Sequence, residues 1–208
     1  MSEAVAVTVY SSPSAAAALV LAHGAGAGQS SPFMTRFARG LVERGVSAAT
    51  FDFPYMAARR KMPDKAPVLE ACWRGAISAA RAQLPDVPLF IGGKSMGGRI
   101  ASQVVAGEHD PVAGLVFLGY PLHPPGKPEQ RRDAHLPGIT EPMLFVQGSR
   151  DAFGAAQEIR DLLPRLQRAE IYEVAGGDHS FKVSGRGGPK QDDVIAGILD
   201  EVVRFMGS

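Results

Sequence analysis

Seven apolar runs with strand character punctuate the chain, and amphipathic segments fill the gaps between them. Residues 4–10 (AVAVTVY) alternate and predict a first strand at an edge. Residues 17–23 (AALVLAH) are continuously apolar, as expected of a strand covered on both faces. The next segment predicts a helix: Ser31 is suited to the N-cap, Pro32 to the first helical position, and Phe33, Phe37 and Leu41 recur at helical spacing before Gly45 ends it. Strand-like runs follow at 46–53, 88–93, 112–120, 142–148 and 169–174. Helical patterns occupy 68–84, 96–107, 155–166 and 191–206. The inner face of the pattern at 68–84 is read as Leu69, Trp73, Ala76, Ile77 and Ala80, and that of the last as Val194, Ile198, Val202 and Phe205. Segments 54–67 and 121–141 read as loops. Strands alternating with helices predict a mostly parallel sheet of about seven strands with helices on both faces, in one α/β domain over residues 1–208.

Length and composition sharpen this only slightly. A chain of 208 residues buries about 70% of its unfolded surface, enough for a core without staples. The formal net charge of +1 gives no reason to expect nucleic acid or an anionic membrane as partner. One cysteine, Cys72, rules out an intrachain disulfide and a Cys-based metal cluster, and no histidine pair has the spacing of a helical zinc motif; no metal or organic cofactor is expected. The run SAAAALVLAHG resembles the apolar part of a signal peptide. It follows Glu3 without any Lys or Arg and is too short to cross a bilayer, so it reads as a buried strand and the protein as cytoplasmic.

The chemistry concentrates after the fourth strand-like run. Gly93-Lys94-Ser95-Met96-Gly97 fits G-x-S-x-G, and its place between a strand and a helix gives a short motif its weight. Ligands of parallel α/β sheets bind beyond the carboxyl ends of the strands, where Ser95 falls. A serine hydroxyl needs a base, and the base needs an orienting group. Asp151 follows the strand at 142–148 and His179 follows the strand at 169–174, so three groups from three strand ends are expected to converge. The roles expected are Ser95 as nucleophile, His179 as general base and then acid, and Asp151 as orienter. Asp178 is a rival acid, and Asp151 has a competing reading as the cap of the following helix. The turn HGAGAG at 23–28 supplies free backbone N–H groups. The expected oxyanion donors are the N–H of Met96 and that of Ala25, or else Gly24, with His23 fixing the turn.

In that order, HG-x-G, GKSMGG, QGSRDAFG and GGDHSF resemble the α/β-hydrolase superfamily over nearly the whole chain. FDFPYM, GGKSMGGR and GYPLHPPGKP are similar to a narrower group of small bacterial α/β-hydrolase-like proteins. These are loosely called dienelactone-hydrolase-like, and are related to a testis-expressed eukaryotic protein and to a subunit of a chromatin-acetylation complex. The resemblance implies the Ser95/Asp151/His179 triad and no particular substrate. A dienelactone hydrolase would be expected to carry cysteine where this chain has Ser95, which counts against that reaction.

The reading is a minimal α/β-hydrolase without a large cap, acting on small carboxylic esters or thioesters through an acyl-enzyme. An acyltransferase and a catalytically silent interaction module are the alternatives. Candidate pocket walls are Tyr55, Met96, His123, Phe153 and Phe181. Lys94 reads either as a cation facing developing negative charge or as half of a salt bridge beneath the site. His109 and His135 read as exposed, and Cys72 and Trp73 as core. Arg59, Arg60, Lys61, Lys65, Lys127, Arg131, Arg132, Lys182, Arg186 and Lys190 stand in loops at the site's edge. They suggest either a mildly positive mouth that favours an anionic acyl group or a solvated surface. Oligomeric state is not legible.

Overall fold

In the computed structural model, residues 5–107, 111–185 and 188–207 are described. Seven strands form one sheet in the order β1-β3-β2-β4-β5-β6-β7. They are β1 (Thr8–Tyr10), β2 (Ala17–Ala22), β3 (Val46–Phe51), β4 (Leu89–Lys94), β5 (Gly114–Leu118), β6 (Met143–Gly148) and β7 (Ala169–Val174). β1 lies antiparallel to β3 at the edge, and every other pairing is parallel. The first strand is shorter than the alternation at 4–10 suggests: only Thr8–Tyr10 pairs, while Val5 and Val7 pack on the core as coil.

Side chains of successive strand residues point to opposite faces, and the continuously apolar strands therefore feed two cores. Ala18, Val20 and Ala22 of β2 join one core, whereas Ala17, Leu19 and Leu21 join the other. The first core is covered by α3 (Ala66–Gln83), α4 (Met96–Ala106) and α5 (Ala156–Leu162). The second is covered by α1 (Pro32–Val42) and α6 (Gln191–Met206). α1 begins at Pro32 after Ser31, which has N-cap backbone angles but makes no side-chain capping bond. Leu69, Trp73, Ala76, Ile77 and Ala80 of α3 are all buried, as their spacing predicts. On α6 the buried stripe is Ile195, Ile198, Leu199, Val202, Phe205 and Met206; Val194 sits at its margin because the helix is turned so that Ile195 and Leu199 face α1. The segment expected to be loop from Pro54 contains one helical turn, α2 (Pro54–Ala57), set up by Pro54 at its first position.

The crossovers above the carboxyl ends of the strands are short, and no large cap covers them. The crossover between β5 and β6, which carries no α-helix, holds only a 3₁₀ turn at Leu136–Gly138. At the sheet's centre three glycines let backbones approach where no side chain fits. A Cβ on Gly92 would lie 1.9 Å from the Val116 carbonyl oxygen, one on Gly93 2.2 Å from that of Ala22, and one on Gly97 2.5 Å from the same oxygen. Gly92→Ala should therefore cost about 3 kcal/mol, since rigid backbone must move. Gly138→Ala, which meets nothing within 4 Å, should stay within about 0.5 kcal/mol of wild type. Urea unfolding of the two variants beside wild type measures the contrast.

Candidate active site

Ser95 sits between the last residue of β4 and the first of α4, with φ 51° and ψ −117°. Positive φ is rare for a residue with a Cβ and marks stored strain at a turn that is held from outside. The holding contacts are visible. The Ser95 N–H donates to the Leu118 carbonyl at 3.1 Å, and the Trp73 indole N–H donates to the Gly97 carbonyl at 3.1 Å, pinning the first turn of α4. Gly93 and Gly97 allow the turn to press against Ala22.

Asp151 and His179 meet Ser95 from the neighbouring loops. The Ser95 hydroxyl lies 2.9 Å from His179 Nε2, and His179 Nδ1 lies 2.7 Å from Asp151 Oδ2. The carboxylate can only accept from Nδ1–H, which leaves Nε2 free to accept from the hydroxyl. Asp151 is buried and does not cap α5, whose N-cap position is Ala155. Its Oδ1 accepts the Phe153 N–H at 2.8 Å, and its Oδ2 also accepts from the Gln147 amide at 3.0 Å. The rival Asp178 accepts the N–H groups of Ser180 and Lys182, shaping the loop that carries His179.

Gln147 is a functional neighbour that the sequence reading missed. It is fully buried in β6. Its amide nitrogen faces Asp151 Oδ2, the Gly154 carbonyl at 2.6 Å and the Tyr120 carbonyl at 3.3 Å, while its oxygen accepts the Tyr120 N–H at 2.8 Å. A polar residue in an otherwise apolar, fully covered strand is the available signal, because a buried amide needs partners.

The glycine-rich turn after β2 is fixed by His23 and Asp52. The buried His23 ring donates from Nδ1 to the Gly24 carbonyl at 2.9 Å and accepts the Phe53 N–H at Nε2 at 3.2 Å; burial holds its pKa below the usual value. Asp52 accepts the Gln29 N–H at 2.7 Å. Gly24 and Ala25 line the same cavity as Ser95 and Met96. The Met96 N–H heads α4, where a helix offers it no intrahelical acceptor.

That cavity has a volume of about 820 Å³. Met96 and Phe153 line it as expected, with Phe153 lying 4.3 Å from the His179 ring between centroids. Phe33, Met34 and Ile195 add an apolar wall that the sequence reading did not assign. Three expected walls are elsewhere. Tyr55 is fully buried against Phe53 and His23 because the α2 turn folds it inward. Phe181 has φ 60°, which turns its ring into the core between the sheet and α6. His123 faces Glu158 Oε2 at 3.1 Å and the Pro124 carbonyl at 2.9 Å, away from the cavity. His135 is half-buried, not exposed, and bonds to the Ser102 hydroxyl at 2.8 Å. His109 and Arg186 lie outside the described residues.

Lys94 lines the cavity with Ser95, and among the described residues it forms no salt bridge. Its Nζ donates to the His179 carbonyl at 2.6 Å and lies 5.4 Å from the centre of the Phe181 ring, with no carboxylate within 4 Å among the described residues. It ties the strand that carries Ser95 to the loop that carries His179. Burial pulls its pKa down to about 8, partly offset by Asp151 and Asp178. Among the described residues no group of three or more His, Cys, Asp or Glu side chains is placed to hold a metal ion, and no helix is long and apolar enough to cross a membrane.

Because the folded pKa of Lys94 lies below its ordinary 10.5, the unfolded chain holds the proton between about pH 8 and 10.5 when the folded one has lost it. The cost of the buried charge is complete below pH 8 and is relieved as pH rises. Wild type should therefore gain about 2 kcal/mol of stability relative to Lys94→Met between pH 7.5 and 10. Urea unfolding of both proteins at the two pH values measures it, and the common titrations of other groups cancel.

Comparison with known proteins agrees with the architecture. An alpha-beta serine hydrolase homologue from Coxiella burnetii superimposes with a TM-score of 0.74 at 16% identity, covering 95% of this chain and 89% of that one. A dienelactone hydrolase from Anabaena variabilis gives 0.75 at 18% identity, with 96% and 89% covered. An a/b serine hydrolase without lid from Xanthomonas campestris gives 0.72 at 20% identity, with 97% and 89% covered. At these identities the likeness is one of fold. The family of alpha/beta hydrolase domains matches residues 15–207, nearly the whole length, and the chain belongs to that family.

Proposed function

We propose that this protein is a serine hydrolase of small carboxylic esters or thioesters. The observation that carries the reading is the continuous chain from Ser95 Oγ through His179 to Asp151, at 2.9 and 2.7 Å, opening on a cavity from a strained strand-to-helix turn. In this reading the Oγ proton passes to Nε2 as Oγ bonds to the substrate's carbonyl carbon, and the Asp151 carboxylate stabilises the imidazolium that forms. The carbonyl oxygen gains charge and is met by the N–H groups of Met96 and of Ala25 or Gly24. The Nε2 proton then goes to the leaving alcohol or thiol, giving the acyl-enzyme. Water, deprotonated by the same nitrogen, then attacks the acyl carbon; the acyl–Oγ bond breaks, Oγ takes the Nε2 proton, and the carboxylic acid leaves with Ser95 restored. No cofactor is required for these steps, since base, orienter and donors all come from the chain.

The apolar wall of Phe33, Met34, Met96, Phe153 and Ile195 suits a short acyl chain, and the open mouth suits small substrates. The four devices that hold Ser95, His179, Asp151 and the glycine-rich turn favour this reading over a silent interaction module, which has no use for a strained serine paired to a histidine.

With 4-nitrophenyl acetate and butyrate, Ser95→Ala and His179→Ala should each lower kcat/KM by at least about 1,000-fold, and Asp151→Asn by a similar factor. Steady-state kinetics on folded variants checks this. Loss of less than tenfold in Ser95→Ala would assign the turnover to other groups.

A further inference from the structure

The cavity beside Ser95 is unbalanced in charge. Among the described residues Arg36, Lys94, Arg99, Arg132 and Lys182 line it, and no Asp or Glu does. Two of these cations are accounted for: Arg36 pairs with Asp192 at 2.8 Å, and Lys94 donates to the His179 carbonyl.

Arg99 and Arg132 are different. Arg99 stands one helical turn beyond Ser95 on α4, and its N–H bonds to the Ser95 carbonyl at 3.1 Å. Its side chain lines the same cavity as Ser95. Its side-chain partner is the Gln103 amide oxygen at 3.4 Å, a neutral group. Arg132 comes from the loop between β5 and β6, whose backbone is pinned by the Arg132 N–H to the Leu122 carbonyl at 2.9 Å and by the Tyr120 hydroxyl to the Arg132 carbonyl at 2.7 Å.

The acids nearby are turned to other partners. Asp133 pairs with Arg131 at 2.7 Å and approaches Arg165 at 3.8 Å, and Glu70 approaches Arg74 at 3.8 Å. Among the described residues neither Arg99 nor Arg132 has a carboxylate within 4 Å. The two line the same cavity, and the pKa of Arg99 is lowered, first by burial and then by Arg132, with Tyr120 and Glu70 acting in the opposite sense. Two guanidinium side chains that line one half-buried cavity without a carboxylate partner are stabilised by an anion bound between them.

We propose that Arg99 and Arg132 form an anion subsite, so that the substrate carries a carboxylate or phosphate group at a distance from its ester or thioester carbonyl. This rests on the hydrolase reading for the reaction, but not for the binding. It also divides the basic residues of the sequence: Arg60 pairs with Asp64 at 2.7 Å and Arg131 with Asp133, leaving Arg132 as the loop arginine that serves the cavity. Arg99, inside the GGKSMGGR motif, is the partner that loop composition alone does not suggest.

The test compares 4-nitrophenyl hydrogen adipate with 4-nitrophenyl hexanoate, acyl chains of equal carbon count with and without a terminal carboxylate. It uses wild type, Arg99→Gln, Arg132→Gln and Arg132→Lys. Wild type should favour the adipate in kcat/KM by at least about tenfold, as charged hydrogen bonds imply. Both glutamine variants should bring that ratio toward one, mainly through KM, and Arg132→Lys should retain part of it. Should the half-buried Arg99→Gln fail to fold, Arg132→Gln decides alone.

Calorimetric titration of adipate and of inorganic phosphate into the same proteins separates the two readings. If neither ester is turned over but an anion binds wild type and is weakened at least about tenfold by Arg132→Gln, the subsite stands and the hydrolase reading falls. Tighter phosphate than adipate assigns a phosphate-bearing substrate, and the reverse assigns a carboxylate. Turnover of both esters with a wild-type ratio near one, a ratio unchanged in the glutamine variants, or no anion binding in a protein that turns over neither ester overturns the proposal.

Discussion

The close approach of β4 and the first turn of α4 to the backbone of β2 is the constraint from which the site follows. A Cβ on Gly93 or Gly97 would enter the Ala22 carbonyl oxygen, so the strand and helix meet at a separation that only glycine permits. The turn between them then has no relaxed conformation available, and Ser95 takes φ 51°. Strain at that residue is offset by the surrounding bonds: Trp73 on the Gly97 carbonyl, Leu118 on the Ser95 N–H, and the buried faces of α3 and α4 against the sheet. A hydroxyl held this way stays out of the helix and faces the cavity.

The second consequence is electrostatic. Asp151 is buried, and the bonds from Phe153, Gln147 and His179 replace the water it has lost. Gln147 links that carboxylate to the Tyr120 and Gly154 backbones, so the loops after β5 and β6 share one polar centre. Lys94 performs the corresponding task for the loop after β7 by binding the His179 carbonyl. Neither residue touches the Ser95 hydroxyl. Both act on its geometry, which is why a site built from three separate loops keeps contacts of 2.7 and 2.9 Å.

Much of this was legible in the residues because parallel α/β sheets restrict where ligand-facing groups stand. Once the strands at 88–93, 142–148 and 169–174 are recognised, Ser95, Asp151 and His179 follow as the loop residues beyond them. The pocket walls were less legible. Tyr55 and Phe181 read as pocket walls in the sequence, yet a single helical turn and a positive φ direct them into the core. His123 is turned aside by Glu158, a partner 35 residues away that no local pattern announces. Phe33 reads as core by its helical spacing, and only the placement of α1 over the carboxyl edge brings it to the cavity.

The claim on which everything else depends is that the Ser95 hydroxyl is activated by His179. Covalent labelling by a small fluorophosphonate, followed by intact mass, tests it without knowledge of the substrate. The account predicts one adduct per wild-type chain at Ser95, none in Ser95→Ala and strongly slowed formation in His179→Ala. An unlabelled wild type, or an adduct that persists in Ser95→Ala, would contradict it.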